Sequence, residues 1–451
     1  MEKTKLVGTM GPASENIDVL RELIKAGLNV ARMNFSHGDH EEHFGRLSTV
    51  RKLNEELGTN VGIMLDTKGP EMRTHEFDGG KLLVQKDQEL KVYFEQVLGN
   101  SEQFSINYPG LYDDVSVGTI ILIDDGYLQT EVIEKNEKGR YLVIKAKNTH
   151  QIKNRRGVNV PNTLINMPFL SEKDREDILF GIKHKVDFIA ASFVQRASDV
   201  EQIRELLVKN GTPEIQIISK IENQEGVDNI DEIIEASDGI MYARGDLGVE
   251  ILPEDLPHIQ KMVVEKCRQA NKLIIVATQM VESMQQNPVP TRAEVSDVAN
   301  AVFEGADSVM LSGEMAAGNY PVEAVKMMKR IVKANEKYVD YDQFLFPLYE
   351  REDNLENLSF MTAAAATAHD IKAVVASNNN VSHTLSKYRL PVPIVALLSK
   401  EEATKANVYF GVNPLLDHSD KAVLAKLTQL GLEKGDKFIQ VFEDSLKIKT
   451  V

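Results

Sequence analysis

The chain has 451 residues, room for about three domains of roughly 150 residues each, with one large barrel as an alternative unit. Its 68 Asp and Glu against 52 Lys and Arg give a net charge of -16, which argues against nucleic acid or an anionic membrane surface as partner. No run of about 18 apolar residues is present, and the lone Cys267 permits no internal disulfide. The charged start Met-Glu-Lys-Thr-Lys leads into no long apolar stretch, so a soluble cytoplasmic protein in a reducing compartment is expected.

Short β-branched apolar runs alternate with helical segments. Lys5–Gly8, Leu28–Met33 and Val61–Leu65 read as the first three strands. Phe188–Ser192, Ile215–Ile221, Gly239–Ala243, Leu273–Ala277 and Ser308–Leu311 read as five more. Near-continuous apolar runs are what parallel strands need when both faces are buried. Between them Ile17, Leu20, Leu23 and Ile24 recur at helical spacing. Ser171-Glu172-Lys173-Asp174 and Thr291-Arg292-Ala293-Glu294 look like capping boxes that open further helices. Eight such units predict an α/β protein built on a closed (β/α)8 TIM barrel over 1–70 and 168–339. Periodicity alone leaves an open doubly wound sheet standing as the alternative.

The stretch 71–167 has a different texture. Leu82–Val84, Leu90–Phe94, Thr119–Ile123, Leu128–Ile133 and Tyr141–Lys145 read as short strands, separated by turn signals such as Asp78-Gly79-Gly80 and Asp125-Gly126. This predicts a small β-barrel inserted at a strand end, placed to act as a lid. Tyr341–Arg351 reads as a linker. Ala373–Ser377, Ile394–Leu398, Asn413–Leu416, Phe438–Phe442 and Leu446–Val451 then read as strands of a C-terminal α/β domain over 340–451.

Polar residues follow the barrel strands directly. They are Arg32, Asn34 and Ser36 after the second, and Asp66, Thr67, Lys68 and Gly69 after the third. Lys220 and Glu222 end the fifth, Arg244, Gly245 and Asp246 the sixth, Thr278 and Gln279 the seventh, and Ser312, Gly313 and Glu314 the eighth. One such cluster is ordinary for a strand meeting solvent. Six on one rim predict a pocket. Arg32, Lys68, Arg73, Lys220 and Arg244 would supply cations to it. Glu222 and Asp246, on consecutive strands, suit Mg2+ or Mn2+ completed by substrate oxygens. Asn34, Ser36, Asp66 and Thr67 are oxygen donors with one formal charge, which suits a monovalent ion. No convergent Cys or His set points to zinc; His37 and His40 read as structural or nucleotide-contacting. Cations beside a hard-metal site fit phosphoryl transfer, where positioning and charge neutralisation do most of the work. There is neither a P-loop nor a G-x-G-x-x-G fingerprint, so any nucleotide is held otherwise. Gly245-Asp246-Leu247-Gly248 either offers backbone N–H groups to a substrate carboxylate or is a simple tight turn. Cys267 follows Ile259, Met262 and Val263 in an apolar helical pattern and reads as buried and inert.

Seven strings in one order resemble the pyruvate kinase family. They are Thr9-Met10-Gly11-Pro12-Ala13-Ser14, Ala31-Arg32-Met33-Asn34-Phe35-Ser36-His37-Gly38, Leu65-Asp66-Thr67-Lys68-Gly69-Pro70-Glu71, Ile218-Ser219-Lys220-Ile221-Glu222-Asn223, Ala243-Arg244-Gly245-Asp246-Leu247-Gly248, Ala277-Thr278-Gln279-Met280 and Met310-Leu311-Ser312-Gly313-Glu314. The resemblance implies phosphoryl transfer from phosphoenolpyruvate to ADP, giving pyruvate and ATP, in a cytoplasmic homotetramer. It implies Glu222 and Asp246 as Mg2+ ligands and Asn34, Ser36, Asp66 and Thr67 as K+ ligands. Lys220 would stabilise the phosphoryl in flight, and Arg32 and Arg73 would grip phosphate. Gly245, Asp246 and Thr278 would contact the substrate, and Thr278 with ordered water is a candidate proton relay to the enolate. Nucleotide contacts would come from Asn34, Phe35, Ser36, His37, Arg73 and Arg156. Glu71 matches the residue type that accompanies K+ dependence.

Departures carry expectations too. Arg156 stands where many members have Lys, and Glu42 where an aromatic is common. Regulated members carry a Gly-containing phosphate loop, often Ser-Gly-Arg-Ser; here the matching stretch is Ser377-Asn378-Asn379-Asn380-Val381-Ser382, and the later loop is cut to Glu443-Asp444-Ser445. Weak or absent activation by fructose 1,6-bisphosphate is therefore expected. A metal-dependent lyase or aldolase would not need Lys220, the oxygen-donor set or the inserted lid. A non-catalytic binding protein would have lost one of Arg32, Arg73, Lys220, Glu222, Asp246 and Thr278, and all are present.

Overall fold

The structure is a computed structural model and describes residues 2–163, 165–345, 354–368 and 370–451. Eight parallel strands close into a barrel: Lys5–Thr9, Val30–Asn34, Gly62–Asp66, Phe188–Ala191, Gln216–Ile221, Gly239–Ala243, Leu273–Ala277 and Ser308–Leu311. The first pairs with both the second and the eighth, which removes every edge and excludes the open sheet. All five residues of Gly62–Asp66, Gly239–Ala243 and Leu273–Ala277 are buried. That double burial is why these strands read as unbroken apolar runs rather than as alternating ones.

Alternate residues feed two cores. Leu6, Ile63, Leu65, Ile189 and Ile240 face the surrounding helices. Val7, Met64, Ile218, Met241, Ile275 and Met310 fill the interior, which is continuous with Leu385, Tyr388 and Val408 of the C-terminal segment.

The helix signals resolve individually. Asn16 caps Ile17–Ala26 by accepting from Asp18 N and Val19 N, and Gly27 ends it at φ +112°. Thr291 and Glu294 form the complete capping box of Arg292–Glu304. The box expected at Ser171 forms only by half. Ser171 accepts from Asp174 N, while one oxygen of the buried Asp174 carboxylate takes the Gly69 N–H at 3.0 Å and the other accepts from the Ser171 hydroxyl rather than from its backbone N–H.

Between the third and fourth barrel strands lies a seven-stranded sheet. Its order is Met72–Arg73, Gly157–Asn159, Ile120–Ile123, Leu128–Asn136, Tyr141–Ala146, Glu89–Tyr93, Gln103–Ser105, with a two-stranded sheet of Lys81–Val84 and His150–Lys153 beside it. Met72–Arg73, Gln103–Ser105, His150–Lys153 and Gly157–Asn159 escape the sequence reading because two to four mostly polar residues carry no period-two signal.

The C-terminal sheet runs Val412–Leu415, Ile394–Leu397, Ile371–Ala376, Lys437–Val441, Leu446–Thr450, the last strand antiparallel. The linker expected over Tyr341–Arg351 is described as far as Leu345, and its remainder lies outside the described residues.

Candidate active site

The carboxyl ends of the barrel strands gather the polar residues. Asn34 and Asp66 are register partners across the second and third strands. Asp66 is 1% exposed and stands between two cations. Arg32 Nε meets its Oδ2 at 2.6 Å, and Lys220 Nζ meets its Oδ1 at 3.0 Å. Lys220 also lies 3.0 Å from Glu222 Oε1 and donates to Ser192 Oγ at 2.8 Å. Ser192 in turn donates to Thr67 O at 2.6 Å, and Phe193 N donates to Glu222 Oε2 at 2.8 Å. Arg32 Nη1 donates to Thr9 Oγ1 at 2.8 Å. Five strand ends thus share one buried ion network.

Its electrostatics follow from burial and pairing. Burial by itself would raise the Asp66 carboxyl, but the Arg32 and Lys220 charges outweigh it and hold that carboxyl below its ordinary range. Burial by itself would lower Lys220, and Asp66 and Glu222 reverse the sign, keeping it charged. Glu222 is pushed up to about 8: burial dominates, Lys220 opposes, and Asp246 and Asp66 add to the rise. Asp246 is exposed, yet its field reaches both Glu222 and Lys220. Glu222 and Asp246 thus bring two carboxylates within electrostatic reach of one another, oxygen donors of the type a hard divalent cation takes. Among the described residues no group of three or more His, Cys, Asp or Glu forms a metal cluster, so such a site would be completed from outside the chain.

Thr278 has φ +68° and Gln279 φ +52°, two consecutive left-handed residues at the end of the seventh strand. A β-branched residue in that region is strained, and strain of this kind collects at functional sites. The strain holds Thr278 Oγ1 where it accepts from Gly245 N at 2.7 Å while it donates to Ala277 O at 2.6 Å. Gly245 and Asp246 lie in the first turn of the short helix Arg244–Glu250, so the string is a helix start rather than an isolated tight turn.

A cleft of about 430 Å³ separates the inserted sheet from the barrel rim. Its wall includes Glu71, Asp125, Asn159, Asp246 and Glu250. Arg32, Lys220 and Glu222 belong to the buried network rather than to this wall, and Asp246 joins the two. Asn159 of the insert donates to Glu250 of the barrel at 2.7 Å across the cleft. Arg73 is held within the insert by Glu71 at 2.6 Å and by Arg155 O at 2.7 Å. Arg156 Nε faces Asp124 Oδ1 at 3.5 Å.

Some expected pocket residues point elsewhere. Arg244 is absorbed by Asp297 at 2.6 Å and Thr278 O at 2.6 Å, so it braces the seventh strand instead of offering a free cation. Glu314 is fully buried and accepts from Ser312 N and Val281 N, a backbone brace. Phe35 is buried and stacks on His43 at 3.9 Å, while its backbone N–H donates to Asp66 O at 2.9 Å and its carbonyl accepts from Lys173 Nζ at 3.2 Å. His37 is exposed, and His40 pairs with Asp177 at 2.7 Å. Ser192, the bridge between Lys220 and Thr67, was not singled out from the sequence, although it ends a strand just as the other polar residues do. Cys267 is fully buried, and burial pushes its thiol up, away from reactivity.

A parallel (β/α)8 barrel with a lysine, an arginine and paired carboxylates at its strand ends, beneath an inserted β-sheet, defines a metal-dependent phosphotransferase. The profile of the pyruvate kinase barrel domain matches residues 1–325. The chain is 50% identical over 421 residues to a pyruvate kinase of Sporosarcina psychrophila, covering 92% of this chain and 72% of that one. It is 47% identical over 443 residues to one of Bacillus licheniformis, covering 96% and 76%. The crystal structure of a pyruvate kinase from Cryptosporidium parvum superposes with a TM-score of 0.94 at 38% identity, covering all of this chain and 96% of the other. The chain belongs to the pyruvate kinase family. It transfers the phosphoryl group of phosphoenolpyruvate to ADP, giving pyruvate and ATP in glycolysis. No helix among the described residues is long and apolar enough to cross a membrane.

Proposed function

We propose that the network around Lys220 is the phosphoryl-transfer centre. The observation that carries this is the Lys220 ammonium, buried and held 3.0 Å from both Asp66 and Glu222. A fixed cation in a water-poor site stabilises negative charge on a phosphoryl group in transit without reorganising at that moment. Arg32, held by Asp66 and Thr9, presents its guanidinium to phosphate. Arg73 joins when it leaves Glu71. Gly245, Asp246 and Thr278 position the substrate, and the strained Thr278 backbone fixes a hydroxyl that orders the water delivering a proton to the enolate carbon. Asn34, Phe35, Ser36, His37, Arg73 and Arg156 contact the nucleotide.

Glu222 and Asp246 would hold Mg2+ or Mn2+, and Asn34, Ser36, Asp66 and Thr67 would hold K+. Both ions, when bound, supply positive charge that this chain's carboxylates neutralise only in part. Residues 1–70 with 168–339 form the catalytic barrel, 71–167 the lid and 340–451 the C-terminal domain, in a cytoplasmic homotetramer. Titrating Mn2+ by its paramagnetic resonance signal into the protein and into Glu222→Gln tests the metal assignment. The substitution weakens Mn2+ binding by about tenfold or more; unchanged binding overturns the assignment.

A further inference from the structure

A second cluster of cations lies at the opposite end of the barrel, where its floor meets the C-terminal helix Asn379–Lys387. A cavity of about 10 Å³ there is walled in part by Arg268, Lys272, Asp307, His383, Lys387 and Arg389. Four of these are permanent cations and one is a carboxylate.

Three of the cations are already matched. Arg389 pairs with Asp307 at 2.8 Å and donates to Gly305 O and Ser386 O. Lys387 pairs with Glu356 at 2.7 Å. Lys272 donates to Glu235 O and Ser237 O. Asp307 has nothing to spare, because Ile274 N and Phe410 N also donate to it.

Arg268 is the exception. It is 7% exposed, and its Nε is buried with no hydrogen-bond partner among the described residues. Its guanidinium lies over the Phe344 ring at 4.0 Å. Burial first, and then the Arg389 charge, push Arg268 down from its ordinary range. A guanidinium keeps its proton inside proteins, so the unmet donor calls for an acceptor, and the buried charge favours an anionic one. The cavity admits about one water-sized body, which leaves no room for a phosphate ester or a carboxylate, so its occupant is a single water or a monoatomic ion. His383, pushed down to about 4 chiefly by burial, stays neutral and adds a ring N–H donor without adding charge.

We propose that this cavity binds a single halide-sized anion, chloride under physiological conditions, which satisfies Arg268 and ties the barrel floor to the C-terminal helix Asn379–Lys387. The amino end of a barrel serves stability rather than catalysis, so the ion is structural.

Crystals of the whole protein soaked in potassium bromide would show an anomalous peak in the cavity within hydrogen-bond distance of Arg268. In solution, replacing potassium gluconate by potassium chloride at constant ionic strength would raise Tm saturably by about 2 °C. Arg268→Gln would abolish that rise. An ordered water in the cavity with bromide bound only elsewhere overturns the proposal, and so does an undiminished rise in Arg268→Gln. If that variant does not fold, the anomalous map of the unaltered protein decides alone.

Discussion

Lys220 and Glu222 are two residues apart at the end of the fifth barrel strand, and the ammonium nitrogen stands 3.0 Å from the carboxylate oxygen. The two-residue period of a strand turns both side chains to the same face, so the sequence Lys-Ile-Glu delivers a cation and a metal-type carboxylate to one point. The pair separates two tasks. In the proposed assignment Lys220 acts on the moving phosphoryl, and Glu222 with Asp246 acts on the ion. Lys220→Met should therefore lower kcat by about 10²- to 10³-fold while Mn2+ binding changes far less. Steady-state rates and Mn2+ titration of the same preparation check this. Near-normal turnover would refute the role given to Lys220.

Glu71 sits at the root of the inserted sheet and grips Arg73 at 2.6 Å. Replacing it by lysine frees Arg73 and puts a fixed cation on the side where Asn34, Ser36, Asp66 and Thr67 are proposed to hold K+. Glu71→Lys should retain activity in K+-free buffer, cutting K+ stimulation by about tenfold, a change of roughly 1.4 kcal/mol in transition-state energy. Rates in potassium and tetramethylammonium salts measure it. Undiminished K+ stimulation would sever Glu71 from monovalent-ion dependence.

The barrel was legible because its chemistry is regular. Buried parallel strands such as Leu273–Ala277 have no polar interior residue, and their polar residues fall together at one end. Position along the strand, however, does not reveal where a side chain turns. Arg244 and Glu314 stand at the same rim as Lys220 and Glu222, yet backbone groups claim them. Ser192 and the Asn159–Glu250 contact were invisible for the converse reason, since each gains its meaning from a partner distant in the chain. The short strands of the insert are specified by pairing rather than by pattern, as Met72–Arg73 against Gly157–Val158 illustrates.

The loop after Ile371–Ala376 bears on regulation. Asn378 caps the following helix by accepting from Val381 N at 2.9 Å, and its Nδ2 donates to Glu443 Oε1 at 3.0 Å. Those residues, matching the phosphate loop of regulated members, here present an amide and a carboxylate, and a carboxylate repels a sugar phosphate. Fructose 1,6-bisphosphate should shift the apparent KM for phosphoenolpyruvate by less than about twofold, below the roughly 5- to 150-fold of typical allosteric coupling. Initial rates at low phosphoenolpyruvate test this, and a large fall in KM would contradict it.

Lys5 offers a stability test remote from the rim. It is 4% exposed in the first barrel strand, and its Nζ donates to Val412 O at 2.5 Å. Burial, and then Lys329, push it down to about 7 from an ordinary value near 10.5. Below pH 7 the lysine is charged both folded and unfolded, and folding bears the full cost of burying that charge. Between pH 7 and 10.5 the folded lysine is neutral while the unfolded one still binds a proton, so stability rises with pH across this window. Lys5→Met lacks this dependence. Its stability relative to the parent should be greatest near pH 6.5 and fall by about 3 kcal/mol on going to pH 9.5. The bond lost to Val412 O offsets both values equally, so the slope rather than the absolute difference carries the test. Urea unfolding of both proteins at the two pH values would decide it. A difference that stays the same at the two pH values would mean that Lys5 folds in its charged form.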